Sequence, residues 1–295
     1  MPVLTVTHVT TYRYRSAVRL GPHRLMLRPR ESRALTLNRF DLFVMPPARV
    51  YWFRDASAND IATATFDAPT DTLSIRSRAI VTLPDNPWND AAIAGFATTY
   101  PFSYTPDELA CLGLLTVPQY ADRAGRLAVW VKGFIARHPT GTLALLSDIN
   151  TGISQRIAYQ SRAAEGTQGP LETLDRGWGS CRDFAVLFAE AVRTLGLGAR
   201  IVSGYLHDPG GAGPDAVALD TTHAWVDVFL PGAGWIAFDP TNRKVAPNTL
   251  VPVAVARGIR QVAPVTGSFS SLTAAAHTMD VAVSVRETLA TGAAI

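Results

Sequence analysis

The spacing of apolar residues changes once along this chain, and that change divides what the chain can fold into. From Val3 to about Leu83 the residues alternate as half-buried strands require. Val3 to Tyr14, Arg24 to Leu27, Leu35 to Val44, Val50 to Phe53, Ile61 to Phe66 and Leu73 to Leu83 read as strands. Turn clusters at Gly21-Pro22, Met45-Pro46-Pro47, Ala58-Asn59-Asp60 and Pro69-Thr70-Asp71 separate them. Short strands at this spacing predict a β-sandwich. Leu35 and Leu37 are out of phase with Phe40, Leu42 and Val44, so a bulge near Asn38 is expected to restore one buried face.

After Pro84-Asp85-Asn86-Pro87 the period becomes helical. Leu127, Val131, Phe134 and Ile135 share one helical face, as do Leu146, Ile149, Ile153 and Ile157. The expected organisation is an N-terminal β-sandwich domain over residues 1–88 and a second domain over 89–295, with a strand extension from about 250. Ser180 reads as the N-cap of a further helix, with Phe184, Leu187, Phe188, Ala191, Val192 and Leu195 inward and Gly196 as its stop. Arg200 to Tyr205, His223 to Leu230 and Trp235 to Asp239 read as strands, and Asp208 to Pro214 as a flexible loop without the spacing or Lys of a phosphate loop. The class is therefore α+β.

With 47% apolar and 17% charged residues the chain can bury a sizeable core. Its net charge of +3 is carried almost wholly by arginine, Lys132 and Lys244 being the only lysines, and this weak, scattered excess does not predict a nucleic-acid partner. No run is long and apolar enough for a membrane helix. Cys111 and Cys181 are too few for a disulfide framework, so both are expected free and the chain cytoplasmic. Cys111, beside Ala110 and Leu112, reads as a small buried hydrophobe.

Cys181 falls at the first position of its predicted helix, where the partial positive potential favours a thiolate. A nucleophilic Cys needs a base and a group that orients the base, and His223 and Asp239 lie on consecutive predicted strands. A two- or four-residue loop would put them on opposite faces; an odd loop or a bulge would set them diagonally on one face, which is the prediction. His8, His23, His138, His207 and His277 are the competing histidines, each read as structural or surface. No C-x-x-C or H-E-x-x-H spacing points to a metal, and no cofactor is implied. Arg182 and Asp183 read as a local ion pair, and Trp225, two residues beyond His223, as a wall of the substrate cleft or part of the core.

Four blocks in order, Gly179-Ser180-Cys181-Arg182-Asp183-Phe184-Ala185, Arg200 to Tyr205, Thr222-His223-Ala224-Trp225-Val226 and Gly234 to Asn242, resemble the bacterial transglutaminase-like family. Tyr12-Arg13-Tyr14 through Leu25 to Arg30 resembles its N-terminal β-region, and Ala256-Arg257 with Ala263 to Gly267 its C-terminal extension. The resemblance implies a papain-like cysteine protease core with Cys181 as nucleophile, His223 as base and Asp239 as its partner, acting through a thioester on a peptide- or isopeptide-type amide. The Cys181 backbone N–H is the first oxyanion donor expected, with Tyr159, Gln160 and Trp178 as candidates for the second. Arg182 stands where animal cross-linking enzymes carry Trp, and no calcium site is evident, so hydrolysis is favoured over amine transfer. A non-catalytic peptide-binding module on the same fold is the alternative.

Overall fold

The computed structural model describes residues 1–84, 93–135, 139–162, 166–207, 222–271 and 277–287. The expected boundary near residue 88, His138 and the loop Asp208 to Pro214 lie outside the described residues.

All six N-terminal strands form: β1 (Val3–Leu20), β2 (His23–Leu25), β3 (Thr36–Met45), β4 (Arg49–Arg54), β5 (Asp60–Thr65) and β6 (Thr70–Thr82). β1, β6 and β3 make one sheet, and β2, β5 and β4 the other. Tyr14, Val18, Leu73 and Ile75 of the first pack on Leu25, Ala62 and Ala64 of the second, which is the sandwich core. The register between β3 and β6 slips between Leu37 and Arg39, so Asn38 is the bulged residue and Leu37, Phe40, Leu42 and Val44 all reach the cores.

The C-terminal region opens with β7 (Thr99–Tyr100), α1 (Pro106–Leu112), α2 (Arg126–Lys132), β8 (Thr140–Gly141) and α3 (Thr142–Arg156). It continues with β9 (Ala158–Tyr159), α4 (Pro170–Arg176), β10 (Trp178–Gly179) and α5 (Cys181–Thr194). Then come β11 (Ala199–Leu206), β12 (Thr222–Leu230), β13 (Gly234–Asp239), β14 (Lys244–Val245) and β15 (Leu250–Ala256), paired in the order β14-β13-β12-β11-β15. Leu146, Ile149 and Ile153 of α3 and Val131 of α2 pack with α5 against this sheet. Cys111, expected in the core, is exposed on α1, because only Leu112 of that short helix of about two turns turns inward.

The last three strands depart from the expected division. β16 (Val265–Thr266) pairs with β2, β17 (Phe269–Ser270) with the end of β1, and β18 (His277–Glu287) runs antiparallel to β1 from Leu4 to Tyr14. The extension assigned by sequence to the second domain therefore divides: β15 joins the C-terminal sheet, and the rest completes the sandwich. The physical reason is that β1 has two ladders to fill, and β6 fills only one.

A common core, with Leu4, Val6 and Val81 on one side and Tyr205, Val251 and Val253 on the other, joins the two regions. His8 is buried in this junction, its Nδ1 3.0 Å from Tyr205 Oη and its Nε2 2.8 Å from Thr10 Oγ1, and burial lowers its pKa to about 4. Asn59, read as part of a turn, is buried and mimics a strand: its amide donates to Val255 O (2.8 Å) and accepts from Val255 N–H (2.8 Å) along the outer edge of β15. Asn59→Ala would leave that buried peptide unpaired, so urea denaturation is expected to show a loss of about 2–3 kcal/mol. An unchanged midpoint and slope would remove Asn59 from the junction's energetics.

Candidate active site

The site starts at the N-terminus of α5. Ser180 adopts the extended cap conformation and Asp183, at the third helical position, accepts from the Ser180 N–H (2.7 Å) and Oγ–H (2.8 Å). Asp183 is fully buried and also accepts from Gln168 N–H (2.7 Å) and the Arg162 guanidinium (3.0 and 3.2 Å). The local pair expected with Arg182 does not form: the chain before the helix brings Arg162 into reach instead, and Arg182 donates to Arg162 O (3.0 Å). Gly179 is required here, since a Cβ would lie 2.9 Å from that of Asp183. These contacts fix the turn that presents Cys181.

β12 and β13 supply the other two groups. Leu230 pairs with Gly234, so Pro231, Gly232 and Ala233 make a three-residue loop, the odd length predicted. Asp239 thereby falls diagonal to His223 on one face, and His223 Nε2 lies 2.9 Å from Asp239 Oδ2. Nε2 being engaged, Nδ1 is left for the thiol. Cys181 is half-buried, and the His223 side chain and the Ala224 amide are near enough to favour its thiolate. His223 and Asp239 are themselves buried.

Asp239 also accepts from the Thr241 (3.1 Å) and Asn242 (3.2 Å) backbone N–H groups and from Asn242 Nδ2 (2.7 Å). Asn242 escaped the sequence reading as a site residue. Its signal is the Asp-Pro-Thr-Asn run, in which an Asp opening a turn binds backbone N–H groups two and three residues on.

Electrostatics favour an ion pair. Burial pushes the Cys181 thiol up, but the His223 imidazolium, the Ala224 N–H and the Arg182 charge outweigh it and hold the thiol below its ordinary value. Burial would depress His223, yet Asp239 and Cys181 raise it to about 10. Burial works against the Asp239 carboxylate too, and His223 and Asn242 nevertheless keep it below the usual range. Between the two shifted values Cys181 is thiolate and His223 imidazolium. Iodoacetamide should thus alkylate Cys181 faster than a free cysteine at pH 6, where a thiol of pKa about 8.5 is almost wholly protonated. The rate should fall only as pH drops through the lowered Cys181 value. A rate that climbs through pH 8–9 like that of a free thiol would show that the pair does not form.

Of the two places expected for Trp225, cleft wall and core, it occupies the core. It does share the face of His223, with the rings 6.0 Å apart, but it is 1% exposed and packs with Val202, Leu250 and Val255, so it offers substrate no surface. Gly204, opposite His223, makes room for it: a Cβ there would stand 2.8 Å from the indole and 2.1 Å from Val251 O. Trp178 is covered by Arg176, whose guanidinium carbon is 5.5 Å from the ring. Gln160 ties its backbone N–H to Gly179 O (2.9 Å). Of the oxyanion candidates, Tyr159 is held protonated by burial and by the Cys181 charge, both of which raise its pKa. His23 is bound to Gly21 O (2.8 Å), His207 lies 3.3 Å from Glu287, and His277 stacks against Phe269 and Tyr14. Among the described residues no three His, Cys, Asp or Glu side chains cluster to hold a metal.

Residues 4–82 match the bacterial transglutaminase-like N-terminal region and residues 130–240 the transglutaminase-like superfamily core, the span containing Cys181, His223 and Asp239. The chain belongs to the transglutaminase-like superfamily. The fold of this superfamily member is similar to that of a structure from Cytophaga hutchinsonii described as a candidate cysteine protease, with a TM-score of 0.68 at 19% identity over 97% of this chain and 91% of that one. An uncharacterized protein of Mycobacterium tuberculosis is 29% identical over 280 residues, 89% of this chain and 86% of the relative. A protein-glutamine gamma-glutamyltransferase of Pseudomonas aeruginosa is 32% identical over 142 residues, 46% of this chain and 20% of that protein.

Proposed function

We propose that this superfamily member is a cysteine hydrolase that cleaves a peptide- or isopeptide-type amide through a thioester on Cys181. The observation that carries the reading is the buried His223–Asp239 hydrogen bond set beside Cys181, whose sulfur stands at the start of a buried helix and feels the His223 charge. The Cys181 thiolate attacks the carbonyl carbon, and the oxyanion forms beside the Cys181 backbone N–H and Tyr159. Imidazolium His223 gives its Nδ1 proton to the departing amine, leaving the thioester and a neutral imidazole. Water then loses a proton to Nδ1 as it attacks, the carboxylic acid leaves, and the thiolate–imidazolium pair is restored. Asp239 holds the ring through Nε2 at each stage.

Arg182, in place of the Trp of animal cross-linking enzymes, favours water over an amine as acceptor. The free Cys111 and Cys181 fit a reducing compartment such as the cytoplasm, and among the described residues no helix is long and apolar enough to cross a membrane. The test is intact-protein mass spectrometry of wild-type and Cys181→Ala protein with an activated acyl substrate, with and without a primary amine. The expected result is an adduct on the wild type alone that breaks down to acid. Breakdown mainly to amide would make the protein a transferase. No adduct on either protein across several acyl groups would favour a peptide-binding module.

A further inference from the structure

The charge that is scattered in sequence is gathered by the sheet of β18, β1, β6 and β3. Leu4 and Val6 of β1 and Leu73, Ile75, Ala79 and Val81 of β6 point into the cores, so the residues between them face outward. Arg76 and Arg78 of β6 are therefore on the outer face, with Phe43 and Asp41 of β3 opposite them and Arg39 one step further along. On the far side of β1, Thr5 pairs with Arg286, Thr7 with Ser284 and Thr11 with Asp280 of β18. Arg13, Arg15 and Arg19, which flank the buried Tyr14, Val18 and Leu20, extend the face along β1.

Among the described residues, seven arginines thus stand with two acidic residues, Asp41 and Asp280, on one face of a chain whose whole net charge is +3. Both aspartates are already bound, Asp41 by Arg39 (2.8 Å) and Asp280 by Arg13 (2.6 Å). Among the described residues Arg76, Arg78 and Arg286 are exposed and in no ion pair. Like charges so concentrated repel one another and favour an anionic cover.

We propose that this face docks an acidic segment of a polypeptide, whose carboxylates pair with Arg76, Arg78 and Arg286. Guanidinium forks match carboxylates in two-point contact. Arg76 and Arg78 are two residues apart on one strand, about 6.8 Å, which is the spacing of same-side residues on an extended peptide. Thr7 and Ser284 add hydroxyls to the floor beside Arg78, and Val9 and Ala282 make it apolar beside Arg76. Phe43 is the one ring among the described residues of this face, so successive unstacked bases would find a single platform and not a row of them. Asp41 and Asp280 also interrupt the continuous positive track that a phosphate backbone follows. The inner side of the same strands packs on Tyr205, Val251 and Val253, which turns the docking face away from the C-terminal sheet. It is a remote anchoring surface and does not depend on the chemistry at Cys181.

Fluorescence anisotropy of a labelled deca-glutamate peptide tests this. Saturable binding that weakens with added salt is expected for the wild type. The R76A/R78A/R286A variant should bind at least tenfold more weakly. The R33A/R123A/R260A variant removes three exposed arginines elsewhere and should bind like the wild type. All three proteins should melt alike. Equal weakening in both triple variants, or no binding by the wild type at low salt, would overturn the proposal. So would tighter binding of a ten-nucleotide single strand, which would make the face a nucleic-acid surface. If the R76A/R78A/R286A variant misfolds, the single variants R76A and R286A replace it, each expected to weaken binding twofold or more.

Discussion

Replacing His223 with alanine is expected to lower turnover by about 10⁴-fold or more and, in the same protein, to silence Cys181 toward iodoacetamide at neutral pH. The two effects share one cause. In the wild type, burial raises the thiol's pKa and the His223 interactions, together with the Ala224 N–H and the Arg182 charge, more than offset it. Without His223, burial is opposed only by the Ala224 N–H and the Arg182 charge, so the thiolate fraction at pH 7 collapses. Asp239→Asn is a graded counterpart. It keeps a side-chain oxygen for the Asn242 contacts but removes the charge that most raises His223. The upper pH limit of the ion pair should then move down from about 10 while alkylation at pH 6 survives. The sign follows because a base whose protonated form loses its partner gives up its proton at lower pH. Alkylation of the His223→Ala protein at the wild-type rate would dissociate the thiol from its supposed base.

The second large effect concerns stability and lies at the other end of α5. Glu190 and Arg193 are each about 1% exposed and pair at 2.7 Å. The remaining Glu190 oxygen accepts from the Gln119 (2.7 Å) and Tyr120 (2.9 Å) backbone N–H groups. Arg193 donates to Ala199 O (3.2 and 2.8 Å) and Arg257 O (2.7 Å). One ion pair therefore ties the helix that presents Cys181 to three segments around it. Glu190→Ala strands a buried guanidinium and two backbone donors, and should cost about 3–5 kcal/mol in urea denaturation. The paired change Glu190→Met with Arg193→Leu leaves no buried charge and should cost less than Glu190→Ala alone, because two desolvation penalties vanish together. If the double variant is the less stable, the network contributes more than the cost of burying it.

Much of this was legible because it is local. Alternation located β1 to β6, and the phase slip at Leu37 located the bulge, since both depend only on side chains changing face at each residue. Ser180 marked the start of α5, and Gly196, at φ 78°, marks the chain's exit just beyond its end. Helices α1 and α4 went unread although Thr105-Pro106 with Glu108, and Pro170 with Glu172, carry start signals. Each spans seven residues, too few for an apolar period to repeat.

The sequence by itself determined the six sandwich strands, the position of Cys181 at a helix start and the consecutive strands that carry His223 and Asp239. These follow from backbone geometry and nearest neighbours, which the order of residues specifies directly. Only the tertiary structure decided which ladder of β1 the last strands fill, that Trp225 is core, that Asp183 takes Arg162 instead of Arg182, and that arginines of β1, β3, β6 and β18 share one face. Each of those depends on which segments meet across long separations, such as β1 with β18, and on how much water their meeting excludes. Burial decides whether a charge must be paired and whether a ring can be touched, and burial is a property of the packed chain.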